Sequence, residues 1–464
     1  MPKLSEFEQY MTYLCEALGH ADRHAGFVDY SRGLMLPIAR KSVEPLAAHT
    51  DPWHVSAKHQ SLHHLVANSE WSDEAVLARV RNCVAPHLKL TQDCYWIVDD
   101  TGFPKKGKCS VGVARQYCGQ LGKQDNCQVA VSLSLASASG SVPIAYRLYL
   151  PKEWADDATR RGQTGVPDEI EFATKPEIAL MQMRRALGAG VPMGVVLADA
   201  GYGNETAFRE GVSALQLTYV VGVQGKTTVW APGTKPLPPK PKPRTGRPPT
   251  LLRRAPDHTP VSVKELAEKL SAPAWHEVSW REGTNTPLAS RFAAIRVRAA
   301  HRDHWRSTLR EEEWLLIEWP ETDSEPIKYW LSTLPAASSL EELVSAAKMR
   351  WRIERDYQEL KQQFGLSQFE GRGWRGFHHH ATLCIAAYAF LMTQRLKHGG
   401  SKKNSARPKM PALPKDYTPR GSRATTTPRA RLYSHLTLPH CPSDRKTVGI
   451  LPMLRGDQCC LMTQ

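Results

Sequence analysis

No run of apolar residues in this chain is long enough to cross a bilayer. The longest, residues 383–392, falls well short of the roughly 20 residues that a membrane helix needs. The first residues, Met1-Pro2-Lys3 with Glu6 and Glu8 close behind, lack the charged-then-apolar pattern of a signal peptide. The expectation is a cytosolic protein, nucleoid-associated in a bacterium, with no membrane partner. Cysteine is sparse, 10 in 464 residues with no CxxC pair, which excludes a disulfide scaffold. Cys109, Cys118 and Cys127 are evenly spaced but lack a fourth ligand at a usual distance, so buried thiols are expected rather than zinc. Acid is in deficit, 46 Asp and Glu against 61 Lys and Arg, for a formal net charge of +15. That balance calls for a polyanionic partner, such as nucleic acid or an anionic membrane surface. No internal repeat is found.

What is present divides the chain into five stretches. Residues 1–90 are periodic and helical, with Ser72-Asp73-Glu74 as a helix start and His59, His63 and His64 in a polar patch. A small helical DNA-binding domain and a plain helical cap both fit. Residues 91–223 alternate strands and helices: short apolar runs at 95–98, 127–135, 142–150, 193–198 and 217–223, with a helix over 176–187. Residues 224–335 break that alternation. A Pro/Lys/Arg tract over 235–249 forms an exposed loop, and strands follow at 276–280, 291–299, 313–319 and 327–333. Residues 336–398 return to helix, and 399–464 form a basic tail.

The helix that organises the chain reads Met349-Arg350-Trp351-Arg352-Ile353-Glu354-Arg355-Asp356-Tyr357-Gln358-Glu359-Leu360-Lys361, with no Gly or Pro. The sequence predicts one long helix starting near Ser338. Arg350, Glu354, Tyr357 and Lys361 share one face, and Met349, Ile353, Leu360 and Phe364 form an apolar stripe beside it. Alone, such a window is a surface helix laced by ion pairs. Two distant acids change that. Asp99 and Asp199 each close a short apolar strand, and in an open sheet functional groups gather beyond the strand C-termini. Converging carboxylates repel unless a cation holds them. Oxygen donors of this kind favour Mg²⁺ or Mn²⁺, and two such ions can clamp both oxygens of a phosphodiester exchange.

The order strand-Asp, strand-Asp, β-rich insertion, helix-Glu resembles the DDE transposases of bacterial insertion sequences. The motifs are Asp99-Asp100-Thr101, Leu197-Ala198-Asp199-Ala200-Gly201-Tyr202-Gly203, and Arg350, Glu354 and Lys361 at the spacing of a Tyr-Arg-Glu-Lys signature. The segment Gly112-Val113-Ala114-Arg115-Gln116-Tyr117-Cys118-Gly119 is similar to the DDT subgroup. Ala347 stands where the signature has its Tyr, which leaves Tyr357 or Trp351 nearby. The resemblance implies an α/β protein: an RNase H-like catalytic core interrupted by the β-rich insertion, with an N-terminal helical domain. It implies a metal-dependent endonuclease and strand transferase with two Mg²⁺ or Mn²⁺ ions on Asp99, Asp199 and Glu354. Its partners would be double-stranded transposon ends and target DNA, bound by a homodimer in a synaptic complex.

Adjacent strand residues face opposite ways, so Asp99 and Asp100 cannot both enter one site. The Asp-x-Thr pattern favours Asp99, and Asp100 becomes a supporting acceptor or an alternative ligand. Glu359 is the other candidate for the third acid, on a different helix face from Glu354. Arg350 and Lys361 are expected on the DNA backbone, as are Lys105, Lys106 and Lys108 in their turn. Gly246-Arg247-Pro248 is either a minor-groove hook or a solvated loop. His378, His379 and His380 are expected to contact phosphate or lie at the surface. Of the Trp residues in 224–335, one could stack on a flipped base, though β-core is the commoner role.

Overall fold

A computed structural model describes residues 4–91, 93–241, 247–282 and 287–399. The basic tail and Gly246 lie outside them. Five helices open the chain: α1 (Glu6–Cys15), α2 (Asp22–Met35), α3 (Val43–Thr50), α4 (Val55–Ala67) and α5 (Asp73–Val84). Ser72 caps α5 by accepting from the Ala75 amide, as its position before two acids suggests.

The sheet begins with β1 (Tyr95–Pro104), β2 (Ala114–Cys118), β3 (Lys123–Ala136) and β4 (Ser141–Leu148). Two short helices, α6 (Lys152–Ala155) and α7 (Ala158–Thr164), lead to α8 (Lys175–Gly188). Then come β5 (Val195–Ala198), α9 (Ala200–Gly203), α10 (Thr206–Ala214) and β6 (Tyr219–Val223). β3 lies antiparallel between β1 and β4, while β5 and β6 run parallel to β1 on its other side. This arrangement is compatible with an RNase H-like core. Strand alternation splits the packing. Trp96, Val98, Val196 and Ala198 enter the larger core, and Ile97, Leu197 and Val220 enter a second one on the opposite face.

Residues 224–335 supply β7 (Thr228–Trp230), β8 (Val261–Ser262), α11 (Val263–Glu268), β9 (His276–Glu282), β10 (Pro287–Ala299), β11 (Glu313–Glu318) and β12 (Lys328–Ser332). These strands do not form a layer of their own. β12 pairs antiparallel with β6, Tyr329 opposite Val223, so the sheet continues in the order β2-β3-β1-β5-β6-β12-β11-β10-β7-β8. Most of the region's Trp side chains pack on neighbours. Trp330 is buried, Trp280 stands edge-on to Phe292, Trp275 stands edge-on to Trp319, and Trp305 is exposed.

The expected single long helix is two, α12 (Leu340–Met349) and α13 (Trp351–Gln362), followed by α14 (Trp374–Gly399). Arg350 ends one and starts the other, and the Ile353 amide bonds the Arg350 carbonyl across a tightened turn. The break lets α12 lie on β5, β6, β9 and β10 while α13 lies on β1, β4 and α14. The helix starts within the expected Ser338–Leu340 stretch, with Ser339 as cap in a capping box with Glu342. The longest apolar run falls on α14, which packs on α2, α4, α5 and β4. Among the described residues no helix is long and apolar enough to cross a membrane.

Candidate active site

Asp99 lies on the β1 face turned toward α12 and α13, with Ser132 beside it on β3. It is 9% exposed. Burial pushes its carboxyl up to about 7 against the opposing pull of Arg350, and Asp199 and Asp100 add repulsion. The Tyr357 hydroxyl, from α13, is 2.7 Å from Ser132 Oγ and donates to the Asp99 carbonyl at 3.2 Å. Tyr357 thus pins the backbone that carries the acid. Asp100 points the other way, as alternation requires, and pairs with Lys175 Nζ at 2.7 Å. Nothing local in the sequence marks Lys175 or Ser132 for these roles, because both partnerships depend on the fold.

Asp199 sits one residue past β5 and caps α9. Its Oδ1 accepts from the Gly201 amide at 2.9 Å, leaving Oδ2 directed at Arg350. The Gly-rich stretch behind it has a steric reason. A Cβ on Gly203 would come 2.0 Å from the Gly222 carbonyl oxygen, so α9 rests directly on the backbone of β6. Glu354 lies in the first turn of α13, more exposed than the two aspartates.

One group unites these acids. The Arg350 guanidinium lies 3.0 Å from Asp99 Oδ2, 3.3 Å from Glu354 Oε1 and 3.9 Å from Asp199 Oδ2. Burial opposes its charge, but Asp99, Asp199 and Glu354 outweigh that, so it stays ionised. Arg350 is therefore turned onto the carboxylates here, where the sequence suggested phosphate. Among the described residues no three acid, His or Cys side chains close into a ready-made metal cage. The donor set nonetheless suits a hard cation: carboxylate oxygens from three separate elements already converge on one positive group.

Glu359 belongs elsewhere. It is buried, 3.0 Å from Arg355 Nε and 2.6 Å from Arg395 Nη1. Lys361 donates to the Gly102 carbonyl at 2.9 Å, and burial pulls its ammonium down to about 8. Lys105 is likewise turned inward, onto the Phe369 carbonyl at 2.8 Å. Lys106, Lys108 and Arg247 are exposed.

The three histidines correct the sequence reading, for all are buried in α14. His378 Nε2 accepts from the Leu148 amide, and His379 stacks on Trp71 with ring centroids 3.6 Å apart. His380 lies between the Tyr30 hydroxyl, 2.9 Å from Nδ1, and the Gly365 carbonyl, 3.0 Å from Nε2. Burial depresses His379 and His380 to about 4. They join the N-terminal helices to the core, and the signal missed was the apolar run that follows them. Cys118 and Cys127 are buried as expected, whereas Cys109 is exposed.

Comparison with known proteins adds two findings. Residues 13–287 match the family model described as DDE superfamily endonuclease. That stretch contains Asp99 and Asp199 and stops before α12. The chain is also similar to a probable transposase for insertion sequence element IS701 from Microchaete diplosiphon, 32% identical over 166 residues. The aligned stretch covers 36% of this chain and 40% of that protein.

Proposed function

Since this chain belongs to the DDE superfamily endonucleases, we propose that it is a transposase that binds insertion-sequence ends, cuts them, and joins the freed 3′-hydroxyls to target DNA. The observation that carries this reading is the convergence of Asp99, Asp199 and Glu354 on a single cationic group. The three acids come from a strand, a strand end and a late helix, so nothing but tertiary structure brings them together.

In this reading the three carboxylates would hold two Mg²⁺ or Mn²⁺ ions. When bound, the ions would make water or a 3′-hydroxyl a better nucleophile and steady the departing oxygen. The protein's own residues set the stage. Tyr357 holds the Asp99 backbone, the cap of α9 orients Asp199, and Asp100, turned away by strand alternation, is paired with Lys175. Low exposure around Asp99 strengthens its hold on a cation. Lys106, Lys108 and Arg247 remain the exposed candidates for phosphate, and helices α1–α5 for recognition of the ends. Lys105 and Lys361 serve first to tie the β1 end to the helices behind it. A homodimer pairing two ends completes the proposal.

The test is incubation of the full chain with Mg²⁺ and DNA carrying the element's flanking ends. Cleavage at the ends plus strand-transfer products supports the reading. Cleavage alone makes the protein a nuclease that does not transpose. Metal-independent binding without cleavage makes it a DNA-binding protein built on the same fold.

A further inference from the structure

Three carboxylates this close should repel one another, yet all three lie within 3.9 Å of one guanidinium. Arg350 provides the balance, with one amino group near Asp99 and Asp199 and the other on Glu354. Its fit is incomplete, since the buried Nε has no hydrogen-bond partner. A buried donor left unmade is costly, which leaves this placement easier to give up than a fully bonded one. Arg350 also sits on the turn between α12 and α13, where its side chain can change direction without breaking either helix.

A guanidinium and divalent cations cannot share the same carboxylate oxygens, because like charges a few Å apart repel strongly. Resting on the functional reading above, we propose that Arg350 is a resident cation that guards the acid site, leaves when the ions enter, and takes a DNA phosphate as its new partner. Phosphate is the suitable exchange, because a guanidinium meets it with the same forked geometry that it offers a carboxylate. The consequence is coupling. DNA draws Arg350 off the acids and so opens them to ions, and by reciprocity ions release Arg350 to hold DNA. Free protein then carries little metal, and stray cleavage is suppressed until an end arrives.

The experiment is a Mn²⁺ titration of the full chain, followed by electron paramagnetic resonance, with and without a duplex of the element's end. Wild type should bind Mn²⁺ weakly alone and at least about tenfold more tightly with the duplex, within the usual range of coupling. Arg350→Gln should bind Mn²⁺ about tenfold more tightly than wild type without DNA, and the duplex should add little. Arg350→Lys keeps one charge but lacks the fork, so it should fall between, and it carries the test if circular dichroism shows the Gln variant unfolded. Equal or weaker Mn²⁺ binding by the folded variants without DNA would overturn the proposal while leaving the transposase reading intact. Absence of Mn²⁺ binding by wild type even with the duplex would overturn both.

Discussion

Glu354 and Glu359 lie five residues apart on one helix, and their replacement by Gln should separate chemistry from stability. Glu354 is exposed and joined to Arg350 by a single i,i+4 contact at 3.3 Å, while Arg350 keeps Asp99. Losing that contact should cost only about 0.3–0.5 kcal/mol, typical of an exposed helix pair. The melting temperature should then move by a degree or two at most. The chemical loss is larger. A metal-held charge supplies several kcal/mol of transition-state stabilisation, so weakening it by about 3–4 kcal/mol slows cleavage by roughly 10²–10³. Glu359 inverts the pattern. It is buried and bridges Arg355 and Arg395, and removing one partner of a buried pair costs about 3–5 kcal/mol. Both arginines are about two-fifths exposed, so solvent reclaims part of that, and a loss of about 1–3 kcal/mol is expected. Glu359→Gln should therefore melt several degrees lower yet cut near the wild-type rate when assayed well below its transition. The assays are end cleavage with Mg²⁺ beside thermal denaturation of each variant. Wild-type cleavage by Glu354→Gln, or a stable but inactive Glu359→Gln, would show that the third acid is misassigned.

Gly203→Ala should cost more than about 3 kcal/mol, because the new Cβ meets the Gly222 carbonyl oxygen at 2.0 Å and neither backbone can yield; a denaturant midpoint checks it. His380 is depressed to about 4 against an ordinary value near 6.5, so the unfolded chain takes up its proton first as pH falls. Its stabilising contribution is whole above about 6.5 and is lost toward pH 4, and His380→Gln should flatten that part of the stability profile measured by thermal melts. Affinity for end DNA should fall steeply with salt, and Lys106→Ala with Lys108→Ala should lower the logarithmic slope by about 2 in a binding titration. An unchanged slope would remove that turn from the DNA interface.

Much of the fold was legible because its signals are local. β5 ends where its apolar run ends, just before Asp199, and alternation alone separates Asp99 from Asp100. But β1 runs past its apolar stretch to Pro104, held by its ladder with β3, so Asp99 lies mid-strand and not at a strand end as expected. The split at Arg350 was not legible. Both flanks are good helix formers, and Arg350 itself keeps right-handed helical angles of −56° and −23°. Its inward turn depends on two acids far away in the chain. The histidines misled for a related reason. Three in a row look polar, but backbone and hydroxyl partners from β4, α2, α4 and the loop after α4 satisfy them in the interior. Lys361 and Lys105 look in the sequence like contacts for the DNA backbone because the carbonyls that hold them, Gly102 and Phe369, lie far off in sequence.

The pairing of β12 with β6 bears on how this protein can be trimmed or recombined. A segment of more than a hundred residues between two halves of a core looks like a detachable module, but its removal would strip the sheet beside Asp199 of a neighbour. β6 would change from an interior strand to a bare edge, with Val220, Val221, Gly222 and Val223 offering unpaired amides and carbonyls to other chains. The buried bond from the Tyr219 hydroxyl to Glu313 would go with it. Shortened versions should aggregate rather than yield a minimal enzyme, and exchanges with relatives should keep β6 through β12 from one parent.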